Sequence, residues 1–399
     1  MIDTSLRPVV VVGPARSGKT TSVPVPSLLT WRQSAVVLEV RDELFDLTEH
    51  WRRTEAQNKI RRIDFMHESS PDSYNFLDAI RRDSPHELDD IEALAASLVV
   101  PREDDEGESV DHARLLLTLC IIAKRPDVTA GLSDVFELLK QKGRDGPYAT
   151  AFSYKESALS ADLYQAAESL SYKFLTLSFE EATAALKVAS ASLTIFACPE
   201  IAENTKRSSF TITELRGDGA PVTLYLGIYP QDFLRLQPLI NAFLSQLARY
   251  AVQKTPQANA NRLLLALDSW VSSFGHLDFL EEPLARLSEH GVKPLIAIHS
   301  LRGEGPASRA WQQGEIRVVL PLNHHATAQL IAHEIRADVE QCSNATGTEP
   351  PLVTAEELMQ MRRHEVVILG VGGSPIYAGQ RAYYKDRMFE ARIGAATAH

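Results

Sequence analysis

The glycine-rich stretch after the first apolar segment places the strongest constraint on how this chain folds. The segment PVVVVG (residues 8–13) has the composition of a buried strand, and the pattern G-x-x-x-x-G-K-[ST] begins at its last residue. A loop of this kind between a strand and a helix turns backbone N–H groups and the helix N-terminus toward an anion. The pattern therefore predicts a phosphate-binding loop made of Gly13, Pro14, Ala15, Arg16, Ser17, Gly18, Lys19, Thr20 and Thr21.

The residue types in this loop have separate tasks. Gly13 and Gly18 permit the backbone turn, Lys19 reaches the β and γ phosphates, and the Thr20 hydroxyl is suited to ligate Mg²⁺. A second strand that ends in an acid is expected to complete the metal site, and RLLLALD (residues 262–268) ends in Asp268. We therefore expect ATP and Mg²⁺ as ligands, with Thr20 and Asp268 at the metal.

The residue after Asp268 departs from what ATP hydrolysis needs. A glutamate is expected there to polarise the attacking water, but the chain has Ser269, whose hydroxyl is no useful proton acceptor near neutral pH. The loss of a positioned base costs about 10²- to 10⁴-fold in rate. The sequence thus predicts ATP binding with weak or absent hydrolysis, unless another residue takes over the role of the base.

Further β-branched runs alternate with segments suited to helices, which is the rhythm of βαβ units. Strands that are apolar almost throughout are buried on both faces, as in a mostly parallel sheet covered by helices. We therefore predict an α/β fold. The predicted strands after the first lie at residues 34–40, 60–65, 221–229, 262–268, 293–300, 315–322 and 365–373.

The middle of the chain has a different pattern. Strand signals disappear between about residues 79 and 190, and apolar residues recur there at helical spacing. We expect an all-helical insert over residues 79–190. The nucleotide-binding domain is then formed by residues 1–78, which carry the phosphate loop, and residues 191–399, which carry the strand that ends in Asp268.

Charge limits the kinds of partner that the chain can bind. The formal net charge of −11 argues against a broadly basic surface that coats nucleic acid, although a local basic channel stays open. Residues 50–62 contain five lysines and arginines, but Glu49 and Glu55 dilute them. We predict that this basic segment is a solvated face.

Cysteine usage and hydropathy bear on location. Cys120, Cys198 and Cys342 lie far apart and are odd in number, which suggests neither a disulfide framework nor a zinc site and fits a reducing cytoplasm. The sequence contains no run long and apolar enough to predict a membrane span. We expect a cytoplasmic location.

Several blocks in the same order resemble the cytoplasmic part of the type IV secretion coupling proteins, the conjugative DNA-transfer ATPases. The resemblance covers nearly the whole chain and implies a RecA-like nucleotide domain with an all-helical insert. It also implies a hexamer that links a processed DNA–protein substrate to a secretion channel. The blocks are residues 11–53, YNFLDAIR (74–81), residues 193–215, residues 221–247, the Asp268 segment through HGVKPLIAIHSL (290–301), and two parts of the tail, PPLVTAEELMQM (350–361) and residues 366–386.

The chain departs from the family pattern at positions that are expected to serve hydrolysis rather than phosphate binding. Besides Ser269, His299 stands where the family usually has a glutamine that senses the γ-phosphate, and VRDE (residues 40–43) stands where it tends to carry Lys-Gly-Glu. The membrane-spanning helices that usually begin family members do not precede the phosphate loop. Either the sequence is a part of a longer protein or the chain is a soluble relative, and a soluble relative could attach to the bacterial inner membrane through its partners.

Two classes of function remain open from the sequence. One is an ATP-driven motor or substrate receptor of a conjugation or type IV secretion machine, and the other is a non-catalytic adaptor that uses bound ATP or the fold alone. An unrelated P-loop kinase or GTPase is less favoured, since no base- or acceptor-reading motif is found. The implied partners are other secretion components, a DNA-processing protein, single-stranded DNA, and further copies or related ATPases in a homo-hexamer or hetero-oligomer.

Overall fold

The structure is a computed structural model. It describes residues 5–101, 107–141, 159–217, 219–253, 262–268, 284–301, 305–343, 353–370 and 374–394. The chain divides into two compact units. Unit 1 comprises Met1–Arg62, Thr213–Phe233 and Tyr250–His399, and unit 2 comprises Ile63–Ile212 and Leu234–Arg249.

The described strands form one sheet of nine strands, in the order β3-β4-β2-β5-β6-β1-β7-β8-β9. The strands are β1 (Val9–Val12), β2 (Ser34–Val40), β3 (Lys59–Ile63), β4 (Val222–Ile228), β5 (Leu263–Leu267), β6 (Val292–Ile298), β7 (Ile316–Val319), β8 (Glu365–Leu369) and β9 (Ile376–Gly379).

Six neighbouring strands of this sheet are parallel. Strands β4, β2, β5, β6, β1 and β7 pair in parallel, while β7 with β8 and β8 with β9 pair antiparallel. The predicted mostly parallel α/β fold is confirmed, and eight strands lie where their apolar runs predicted them. The ninth, β9, is missing from the prediction; it is an edge strand of four residues that alternate between half-buried and exposed.

The described residues also form helices. In chain order they are α1 (Lys19–Ser22), α2 (Pro24–Leu28), α3 (Glu43–Thr54), α4 (Glu87–Leu98), α5 (Gly107–Lys124), α6 (Leu132–Lys140), α7 (Ala161–Leu175), α8 (Phe179–Ser192), α9 (Pro199–Asn204), α10 (Phe233–Gln253), α11 (Leu284–Glu289), α12 (Pro306–Gln313), α13 (His325–Ser343), α14 (Ala355–Gln360) and α15 (Arg387–Gly394). No helix within the described ranges combines the length and the apolar character that a membrane crossing requires.

The core of unit 1 lies on the central parallel strands. All residues of β1, β4, β5 and β6 are buried, as expected for strands covered on both faces. A continuous cluster of apolar side chains joins β1, β2 and β5 to α2 and α3, with Trp51 and Tyr225 among its larger members. This packing fixes the carboxyl ends of the strands at one edge, where the predicted phosphate loop lies.

One residue of the predicted solvated basic face lies in the interior instead. Arg52 has 0% exposed surface, whereas Arg53 beside it is exposed. The prediction is wrong at Arg52 because helical geometry turns neighbouring side chains about 100° apart, so one faces the sheet and the next faces solvent. A charge count along the sequence does not distinguish the two faces.

Helices α4–α9 belong to unit 2, together with most of α10. Its interior contains the stacked or edge-to-face rings of Tyr74, Phe76, Phe210 and Phe243. It also contains a buried ion pair in which Arg125 donates to the Glu87 carboxylate at 2.8 Å. Unit 2 extends beyond residues 79–190 at both ends, and the all-helical insert domain with those bounds stays a prediction.

Candidate nucleotide-binding site

The predicted phosphate loop connects the carboxyl end of β1 to α1. The Gly13 N–H donates to the Ile298 carbonyl at the end of β6, with an N–O distance of 3.2 Å. A Cβ on Gly13 would lie 2.6 Å from the Ser17 hydroxyl, and Gly18 has a φ of +93°, in the left-handed region. The close approach at Gly13 and the left-handed backbone at Gly18 both favour residues without a side chain.

Lys19 points back into the loop rather than into solvent. Its side chain is almost fully buried, and its ammonium donates to the carbonyls of Gly13 (2.5 Å) and Pro14 (2.9 Å). Burial lowers the Lys19 pKa to about 8, although the negative charge of Asp268 acts in the opposite direction. The loop therefore holds a desolvated cation with a carboxylate nearby, which suits it to bind an anion.

His299 lies directly against this cation. Its Nδ1 is 3.2 Å from the Lys19 Nζ. Because an ammonium group only donates, Nδ1 accepts this hydrogen bond when Lys19 is charged. Burial, and then the charge of Lys19, lowers the His299 pKa and favours the neutral ring. The structure thus brings the predicted γ-phosphate sensor next to the predicted phosphate cation.

Thr20 and Asp268 meet at the same edge. The Thr20 hydroxyl donates to the Asp268 carboxylate at 2.8 Å, and Asp268 is 8% exposed at the end of β5. Mg²⁺ is usually held by one or two protein oxygens together with water and phosphate oxygens. A hydroxyl and a carboxylate in contact beside a phosphate loop fit that donor set.

The remaining predicted loop residues differ in exposure. Ala15 and Arg16 are exposed, and the Thr21 hydroxyl donates to the Gly18 carbonyl at 3.0 Å. The Ser17 hydroxyl is buried without a hydrogen-bond partner among the described residues, which suits a loop that takes an anion as its missing partner. Ser269 lies outside the described residues.

A second carboxylate near Asp268 is absent from the predicted site residues. Glu43 is the first residue of α3, just after the turn that ends β2. Partial loss of hydration raises the Glu43 pKa, and the negative charge of Asp268 raises it further. Strands β2 and β5 are parallel neighbours, so the residues that follow both strands lie at the same edge of the sheet. The quoted segment VRDE contains this residue, but its sequence pattern does not show that proximity.

Gln380 at the end of β9 is a further residue of the site that sequence reasoning missed. Its amide nitrogen donates to the Gly18 carbonyl (3.1 Å) and to the Ser22 hydroxyl (2.9 Å). A contact across more than 350 residues leaves no local signal in the sequence. The tail of the chain therefore supports the phosphate loop from the side of α1.

These features agree with comparisons to known proteins. The family model described as Type IV secretory system Conjugative DNA transfer matches residues 3–399. The chain belongs to this family, which confirms the predicted resemblance.

Curated relatives include the conjugal transfer protein TraG of Escherichia coli, with 27% identity over 96% of this chain and 68% of TraG. Protein VirD4 of Agrobacterium fabrum (strain C58 / ATCC 33970) is 24% identical over 96% of this chain and 60% of VirD4. The chain thus spans only part of each relative.

The fold is similar to that of a solved bacterial conjugative coupling protein, TrwBdeltaN70. The TM-score is 0.72 at 16% identity, with 97% of this chain and 88% of that chain covered. At this level of identity the similarity concerns the fold, and the geometry described above must carry the argument about the site.

Proposed function

We propose that this chain is an ATP-binding component of a conjugative DNA-transfer or type IV secretion machine, which recruits or drives a DNA or protein substrate toward the channel. The observation that carries the proposal is the arrangement of Lys19, Thr20 and Asp268 at one edge of the sheet. Lys19 binds the phosphates, while Thr20 and Asp268 hold Mg²⁺, which neutralises phosphate charge. Solved structures of TrwB in complex with ADP and Mg²⁺, and with the ATP analogue ADPNP, support this assignment.

The test of binding is a titration of the chain with ATP and Mg²⁺ by calorimetry. Lys19→Ala removes two or more charge-assisted hydrogen bonds to phosphate, each worth about 1.5–3 kcal/mol, so we expect the affinity to fall at least about 100-fold. Lys59→Ala is the matched control, because Lys59 is an exposed lysine on β3 that pairs with Glu214. Equal affinities of wild type and Lys19→Ala would contradict the proposal.

We propose further that hydrolysis is slow, since Ser269 does not provide the base expected after Asp268. Ser269→Glu should raise single-turnover phosphate release about tenfold or more, while the affinity for ATP stays within about threefold. The gain should be smaller than the full effect of a catalytic base, because His299 also departs from the family pattern. Fast hydrolysis by the unmodified protein would contradict this part of the proposal.

A non-catalytic adaptor is the second candidate. The features that favour it are Ser269 and His299, the latter hydrogen-bonded to Lys19 where the family pattern has a glutamine. An adaptor binds ATP without turnover and organises active relatives in one assembly. No rate gain in Ser269→Glu, together with normal ATP binding, would favour this function over the motor.

The partners follow from the same proposal. They are other conjugation or secretion components, a DNA-processing protein and single-stranded DNA. Assembly is proposed as a homo-hexamer or as a hetero-oligomer with related ATPases. The proposed location is the cytoplasm, at the inner face of the bacterial inner membrane through these partners.

A further inference from the structure

A glutamate that follows the strand beside Asp268 lies at the same edge of the sheet as the predicted metal ligands. Strands β2 and β5 are parallel neighbours with Leu38 opposite Leu267, and the Asp268 N–H donates to the Leu38 carbonyl at 3.1 Å. The carboxyl ends of parallel neighbours meet at one edge of the sheet. The turn that follows β2 therefore lies at the edge that carries Lys19, Thr20 and Asp268.

This turn is tightly held. The buried carboxyl group of Glu39 accepts hydrogen bonds from the backbone N–H groups of Leu44 (2.5 Å) and Phe45 (3.0 Å), which ties the start of α3 back to β2. Arg41 and Asp42 both have positive φ, at 63° and 58°. Such conformations persist in non-glycine residues only where the surroundings fix them. The position of Glu43 is thus set by the fold.

The three acidic side chains around the turn differ in their hydrogen-bond and ion-pair partners. Glu39 is bound to the helix N–H groups, and Asp42 pairs with Arg62 at 2.7 Å. Glu43 is exposed and has neither a hydrogen-bond nor an ion-pair partner among the described residues. Partial loss of hydration, and then the negative charge of Asp268, raises the Glu43 pKa, which agrees with its place at this edge of the sheet.

We propose that Glu43 is the catalytic base for the slow ATP hydrolysis of this chain, an inference that rests on the proposed nucleotide-binding function. The oxygen of a water molecule forms a bond to the γ-phosphorus, and the bond from that phosphorus to the β–γ bridging oxygen breaks. ADP leaves with the bridging oxygen. The Glu43 carboxylate takes one proton of the attacking water and later releases it to solvent, so the products are ADP, phosphate and a proton.

The experiment measures ATP affinity and single-turnover phosphate release in the full chain. The rate of the Lys19→Ala variant serves as the baseline for phosphate release without hydrolysis at this site. Glu43→Gln keeps the shape of the side chain but removes the base, so we expect phosphate release to fall at least tenfold and ATP affinity to stay within threefold. Asp46→Asn is the matched control, because it removes the same charge from the same first turn of α3. Its rate should stay within twofold of wild type.

The double variant Ser269→Glu with Glu43→Gln separates a base from a structural residue. If Glu43 acts as the base, the new glutamate takes over, and the double variant retains at least half the rate of Ser269→Glu. A double variant as slow as Glu43→Gln alone would overturn the role as base. A phosphate-release rate of Glu43→Gln equal to that of wild type would also overturn it. A wild-type rate no higher than that of Lys19→Ala would overturn it too, because the chain would then not hydrolyse ATP, but the proposal that the chain binds ATP would still stand.

Discussion

Lys19 and Arg52 are two buried cations of the same unit, but Lys19 lies at the predicted ligand site and Arg52 lies in the interior of the fold. Neither forms an ion pair with a carboxylate among the described contacts, and burial lowers the pKa of both, to about 8 for Lys19 and about 10 for Arg52. Lys19 lies in a loop at the open edge of the sheet, where Ala15 and Arg16 are exposed. Arg52 lies on the buried face of α3 with no exposed surface.

The two cations differ in the hydrogen-bond acceptors that surround them. The guanidinium of Arg52 donates to five of them at 2.6–2.9 Å, so all its N–H groups serve the fold. The acceptors are the carbonyls of Leu28, Trp31 and Gln33, the Thr223 hydroxyl and the Asn58 side-chain oxygen. Lys19 donates to carbonyls of its own loop, and a phosphate oxygen is a stronger acceptor than these. A buried cation therefore indicates a ligand site only where its partners can be exchanged.

We expect the largest effect on the free energy of unfolding from substitution of Arg52, and a much smaller one from substitution of Lys19. Arg52→Met keeps the aliphatic stem but removes all five hydrogen bonds of a buried group, so we expect the free energy of unfolding to fall by about 3–5 kcal/mol. Lys19→Ala should change it by less than about 1 kcal/mol, because water can reach its loop. Urea unfolding followed by circular dichroism measures both.

Arg53→Met is the control for Arg52, since Arg53 is the next residue of α3 but is exposed and pairs only with Glu49 among the described residues. It should be nearly neutral, because exposed ion pairs contribute about 0–1 kcal/mol. An Arg52→Met protein as stable as Arg53→Met would break the comparison, because it would show that the five hydrogen bonds contribute little.

A smaller effect concerns Glu39, a buried acid that holds the fold and the edge of the site together. Burial raises its pKa from 4.5 to about 8, so the folded chain keeps a proton that the unfolded chain releases above pH 4.5. Stability attributable to this group therefore falls as pH rises from 4.5 to 8, by up to about 1.4 kcal/mol per pH unit. Glu39→Gln should remove about 2 kcal/mol of this loss between pH 6 and pH 8.

The measurement compares urea unfolding of wild type and Glu39→Gln at several pH values, since other groups titrate in both proteins and cancel in the difference. Glu55→Gln, an exposed position just after α3, should keep the wild-type dependence on pH. A constant difference between wild type and Glu39→Gln across this range would show that Glu39 is ionised in the folded chain, like an exposed acid.

Local patterns were enough to predict the main elements of the fold. Eight strands were located from their apolar or β-branched runs, and the central strands gave the clearest runs, because a strand buried on both faces is apolar along its whole length. The phosphate loop could also be predicted from the sequence, since its glycines, lysine and threonine lie within eight consecutive residues. The ninth strand and the interior position of Arg52 were missed, because a half-exposed edge strand and a single inward-facing residue leave no such pattern.

The sequence by itself determined the strand–loop–helix unit that presents Lys19 and Thr20, and it identified Asp268 as the acid at the end of a second buried strand. Only the tertiary structure showed the direct hydrogen bond from Thr20 to Asp268, the place of Glu43 at the same edge, and the support of the loop by Gln380. The physical reason is the order of strands in the sheet. Strands β1, β2 and β5 come from distant parts of the chain, and hydrogen bonds between strands bring their carboxyl ends to one edge.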